Sequence, residues 1–65
     1  MNIKDIIYDM IVNEKKVSIG MKSGAWMIGT IIGLGEDYLR FHRTANPDEN
    51  QYIMLDDISI ITEMK

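Results

Sequence analysis

The segment from Val17 to Phe41 limits the fold more than any other part of this chain. Val17, Ile19 and Met21 alternate with Ser18, Gly20 and Lys22, and Ser23-Gly24 then leads directly into a second, longer apolar run. Period-two alternation, a glycine turn and another extended run predict a β-hairpin. The second run contains Gly29 and Gly33. Glycine inside a strand marks a bend or bulge where a sheet curls on itself, so the expected product is a small barrel.

The flanking sequence extends this reading. Ile3, Ile6, Ile7, Met10 and Ile11 follow the spacing of one helix face, which predicts a helix over residues 1–14 with Asn2 as its cap. Strands are expected at about Lys16–Lys22, Ala25–Leu34, Tyr38–Arg43, Gln51–Leu55 and Ile58–Thr62. Gly35-Glu36-Asp37 reads as a turn, Thr44–Asn50 with its Asn46-Pro47-Asp48 as a loop, and Asp56-Asp57 as a tight connection. The fold class is mainly β: one domain over residues 1–65, with an amino-terminal α-helix and a five-stranded, strongly bent open β-barrel over residues 16–62.

A domain of this size buries only about 60% of the surface of its unfolded chain, so external support is expected. The chain has no cysteine and one histidine, His42, which leaves neither disulfides nor a recognisable metal set, and no cofactor is expected. Self-association remains. In the second strand Trp26, Ile28 and Ile32 point one way and Met27 and Ile31 the other, and a strand apolar on both faces is covered on both. The last two strands repeat this with Tyr52, Ile53, Met54, Leu55, Ile58, Ile60 and Ile61, which are the candidate oligomer interface. Trp26 is expected beneath the helix or in a subunit contact. No apolar run approaches the ~20 residues of a membrane span, and Lys4, Asp5 and Asp9 interrupt the amino terminus, so the expectation is a cytoplasmic protein with no membrane partner.

Charge is uneven. Residues 1–43 hold six basic and five acidic side chains, and residues 44–65 hold five acidic and one basic, for a net charge of -3. Nucleic-acid affinity rests on phosphate neutralisation, so any such contact needs a local basic patch. Tyr38, Arg40, His42 and Arg43 form the one basic-aromatic constellation, able to stack bases and neutralise phosphate. The competing reading is a solvated strand face with its arginines near acids. Asp56-Asp57 reads as a turn in preference to a cation site. With no nucleophile elbow, Gly-rich phosphate loop or partnered histidine, no enzymatic activity is expected.

Helix, five strands, a glycine-bent second strand and a short last connection together resemble the Sm-like superfamily, which includes the Sm proteins and Hfq. Val17-Ser18-Ile19-Gly20-Met21-Lys22-Ser23-Gly24 resembles the family's first strand and turn, with Ser23 where the family has asparagine or aspartate. Gly24, Gly29 and the following Thr30-Ile31 are similar to its Gly-x-x-x-x-Gly-x-Leu signature, and Met54 to Ile61 to its closing strand-turn-strand. Other small barrels of the Src-homology-3 type share the hairpin and the compact closing pair. The resemblance implies a ring of six or seven subunits, made by pairing the fourth strand of one with the fifth strand of the next. It also implies association with single-stranded RNA through two loops near the pore. Those loops depart from the family's pattern: they hold Glu36 and Asp37 in one and Asp56 and Asp57 in the other, without the family's asparagine, Arg-Gly or Lys-His. In a sixfold ring that amounts to roughly two dozen carboxylates around the axis, which repel phosphate. An alternative function is therefore a structural or adaptor homo-oligomer that keeps the fold and has lost RNA binding.

Overall fold

A computed structural model describes residues 2–46 and 48–64; Pro47, in the expected loop, lies outside them. Helix α1 (Ile3–Val12) is followed by β1 (Lys16–Met21), β2 (Trp26–Leu34), β3 (Tyr38–Arg43) and β4 (Asn50–Met54). A single 3-10 turn (Leu55–Asp57) then leads into β5 (Ile58–Glu63). The Asn2 side chain accepts from the Lys4 N–H at 3.0 Å and so caps α1, as its position before the apolar stripe predicts. Gly24, at φ +98°, supplies the left-handed residue of the β1–β2 turn.

All five strands join one antiparallel, bent and unclosed sheet in the order β4-β3-β2-β1-β5. The nine-residue β2 serves both halves: Trp26–Thr30 pairs with β1, and Gly29–Leu34 with β3. The bend arises where the two pairings overlap. A Cβ on Gly29 would fall on the His42 carbonyl oxygen, so only glycine lets β3 approach here. The β2–β3 register then shifts between Ile31 and Gly33, a bulge at the second predicted glycine. The β1–β5 register shifts similarly between Gly20 and Met21.

The bent sheet closes over Val17, Ile19, Ile31, Leu39, Phe41, Ile53 and Ile58, with Ile7 and Met10 of α1 completing the core. Full burial of each large apolar side chain contributes about 1.5–3 kcal/mol. Ile11 packs half-buried beside them, whereas Ile3 and Ile6 of the predicted helix stripe stay 48% and 41% exposed. Lys15 fixes α1 to the last strand, reaching Asp9 at 3.1 Å and Glu63 at 3.2 Å. Donation to Asp9, then to Glu63, raises the Lys15 pKa above its ordinary value.

The structure excludes one of the two places expected for Trp26 and sorts the interface candidates by burial. Trp26 does not lie under the helix: Met27, Gly29 and Ile31 turn inward, so strand parity places Trp26 on the outer face, 59% exposed. Among the interface candidates, Ile53 and Ile58 turn into the chain's own core; Leu55 and Ile61 are half-buried against it. Tyr52, Met54 and Ile60 are the exposed members, at 63%, 45% and 49%.

Strands β4 and β5 end the sheet, and among the described residues nothing pairs with their outer edges. The Leu55 N–H donates to Asp37 C=O at 2.9 Å, and the ladder's alternation from there turns the polar groups of Ile53 toward β3 and those of Tyr52 and Met54 outward. On β5, the Met64 N–H donates to Lys16 C=O at 2.9 Å, which by the same alternation leaves Ile61 and Glu63 facing outward.

Gly29→Ala tests the bend. Forcing a Cβ against the backbone of β3 is expected to lower unfolding free energy by about 1–3 kcal/mol or more, measured by chemical denaturation. A variant as stable as the parent would mean that the β2–β3 approach is not close.

Candidate nucleic-acid interface

Strand parity assembles the basic-aromatic row. In β3, Leu39 and Phe41 are fully buried, so Tyr38, Arg40 and His42 share the outer face. The β3–β4 register sets Tyr38 opposite Met54, Arg40 opposite Tyr52 and His42 opposite Asn50. Three of the four predicted residues are thereby united. Arg43 is not: it has the opposite parity, pairs with Gly29 and is half-buried at the strand end.

Tyr52, assigned from sequence only to the oligomer interface, is part of this surface. Its ring lies 6.0 Å from that of Tyr38, centroid to centroid, at 56°. A tilted pair of this separation is a favourable aromatic geometry and leaves both rings accessible. Tyr38 also rests against Gly35, where a Cβ would collide with its ring, and Arg40 lies over Gly33. His42 Nε2–H donates to Asn50 Oδ1 at 2.7 Å, which fixes the imidazole on the same face. The register of β4 against β3 could have revealed Tyr52, but it depends on a loop whose length does not define it.

What this surface offers is two rings, a guanidinium and an imidazole in one row, free of carboxylates on the facing strand positions. Rings stack on bases irrespective of sequence, and the cation neutralises phosphate. Among the described residues Arg40 makes no ion pair, so its guanidinium is exposed on a solvated strand face and is not held by a neighbouring acid.

The four loop acids also come together. The hydrogen bond from Leu55 to Asp37 joins the β2–β3 turn to the 3-10 turn, and the Lys22 N–H donates to Asp57 C=O at 2.8 Å, bringing in the β1–β2 turn. Glu36, Asp37, Asp56 and Asp57 are exposed at this junction. No group of His, Cys, Asp or Glu side chains among the described residues is arranged to hold a metal ion. No helix among them is long and apolar enough to cross a membrane.

These features define a small, bent, five-stranded barrel with an amino-terminal helix, the Sm-like fold. Among solved structures the chain is similar to a crystal structure of the pleiotropic translational regulator Hfq, with a TM-score of 0.81. Sequence identity is 21%, over 94% of this chain and 98% of that one. No protein-family model and no curated protein matches the sequence.

Asp57 accepts through its backbone carbonyl, and neither the Asp56 nor the Asp57 side chain hydrogen-bonds or ion-pairs among the described residues. Replacing both with asparagine is expected to change unfolding free energy by no more than about 0.5 kcal/mol, as for surface sites without special contacts. A loss well beyond that in a denaturant titration would assign the carboxylates a structural bond.

Proposed function

We propose that this chain is a subunit of a homo-oligomeric Sm-like ring of six or seven copies that associates with single-stranded RNA and carries out no catalysis. The observation that carries the RNA reading is the row of Tyr38, Arg40, His42 and Tyr52 on one exposed sheet face. The likeness to Hfq, a translational regulator, supports it at the level of the fold. The contact surface lies on the outer face and not at the junction of acidic turns, because clustered carboxylates oppose phosphate and the outer row does not.

Ring formation is supported by the two unpaired strand edges and by the apolar side chains beside them, Tyr52 and Met54 on β4 and Ile60 on β5. Pairing β4 of one subunit with β5 of the next satisfies both edges at once, and a head-to-tail contact that closes on itself gives a ring. Met54→Pro removes an outward N–H and leaves the β3 ladder intact, so it is expected to convert the oligomer into folded monomer in sedimentation velocity. Ile53→Pro, whose N–H faces β3, is expected to unfold the subunit instead. A parent protein that sediments as a monomer at micromolar concentration rejects the ring.

RNA association is tested by fluorescence anisotropy with short U-rich and A-rich strands at two salt concentrations. Tyr38→Ala with Arg40→Ala is expected to weaken binding about tenfold or more on all sequences and to reduce the salt slope by about one. Unchanged affinity in the double variant rejects this surface. A parent ring that binds no strand at low salt rejects the RNA reading and leaves the structural or adaptor oligomer, which the convergence of Glu36, Asp37, Asp56 and Asp57 favours. In that case Asp56→His with Asp57→Ala is expected to restore binding to a U-rich strand, most strongly at low salt.

A further inference from the structure

A groove of about 450 Å³ lies apart from the aromatic row, where β2 leaves its pairing with β3. Trp26, Met27, Ile28 and Ala45 make its apolar lining, and Lys16 and Arg43 supply its two charges. Among the described residues neither cation forms an ion pair. Trp26 and Ile28 are 59% and 44% exposed, so the groove is apolar and open at the strand end, with Lys16 on the outer face and Arg43, of opposite parity, at its rim.

The backbone narrows what fits. Thr44 N–H donates to Ile28 C=O at 2.9 Å, which shows that the polar groups of Ile28 point away from β1. Strand alternation turns the N–H and C=O of Trp26 to the same side. Pairing with β3 begins only at Gly29, and the chain turns away after Thr44, with Asn46 N–H closing on Arg43 C=O at 3.2 Å. Trp26 thus presents a short open strand edge into the groove.

We propose that the groove is a docking site for an extended, acidic peptide segment of a partner protein. Its backbone adds to the edge at Trp26, its apolar side chains cover Trp26 and Ile28, and its carboxylates meet Lys16 and Arg43. A peptide matches an open amide edge, which a sugar-phosphate backbone cannot pair with in the ladder pattern, and strand addition of this kind draws affinity from the main chain and specificity from side-chain pockets. The two basic side chains select acidic over basic segments. This site is independent of the RNA reading and uses different residues from the Tyr38–Arg40 row.

Trp26 is the only tryptophan, so its emission reports directly on occupancy. The intact protein is titrated with a capped hexapeptide alternating glutamate and valine, with the same peptide carrying glutamine for glutamate, and with a six-nucleotide RNA. The acidic peptide is expected to shift Trp26 emission saturably, and the glutamine peptide to bind about tenfold more weakly or worse. Lys16→Glu with Arg43→Glu is expected to abolish the response while circular dichroism stays unchanged. Should that variant misfold, Lys16→Gln with Arg43→Gln is expected to weaken binding in the same direction. No saturable response up to millimolar peptide, equal affinity for the two peptides, or RNA that displaces the peptide from Trp26 would each overturn the proposal.

Discussion

The structure depends on one strand doing two jobs. β2 is the partner of β1 over its first half and of β3 over its second, so every other element is placed relative to it. That is possible only if the strand bends, and it bends where Gly29 brings the β3 backbone close and where the register slips before Gly33. Without the bend the five strands would lie in a flat sheet, and a flat sheet of this length could not enclose Leu39, Phe41, Ile53 and the helix residues Ile7 and Met10 in one core.

The same bend distributes function. Pairing places β4 and β5 at opposite ends of the strand order, and the curl brings those ends close enough for a three-residue turn to join them. Each strand is an edge, and each has apolar side chains that the chain itself leaves exposed. The convex side of the curl carries chemically distinct surfaces: the aromatic-basic row on β3–β4 and the apolar groove by Trp26. The acids collect where the turns meet.

Much of this was legible in the sequence, because strand alternation and glycine punctuation report local backbone geometry. The helix, the five strands and both bend positions lie within a residue or two of where the pattern puts them. Leu39 and Phe41 against Tyr38, Arg40 and His42 is a two-face division that any half-buried strand must obey. The exclusion of disulfides likewise follows from composition alone, since the chain has no cysteine.

What the tertiary structure decided is which faces meet. Periodicity says that Trp26 and Met27 oppose each other, but only the inward turn of Gly29 and Ile31 shows that Trp26 is the outer one. Pairing register put Tyr52 opposite Arg40, and register is set by long-range pairing across a loop whose length does not fix it, whereas Arg43 falls off the row by strand parity alone. The direction of each N–H on β4, outward at Tyr52 and Met54 and toward β3 at Ile53, follows from the phase of the β3–β4 ladder, which the hydrogen bond from Leu55 to Asp37 shows. A sequence specifies the period of a strand because neighbouring residues share a backbone; it leaves register and edge polarity to contacts between residues far apart in the chain, which exist only once the sheet has closed on its core.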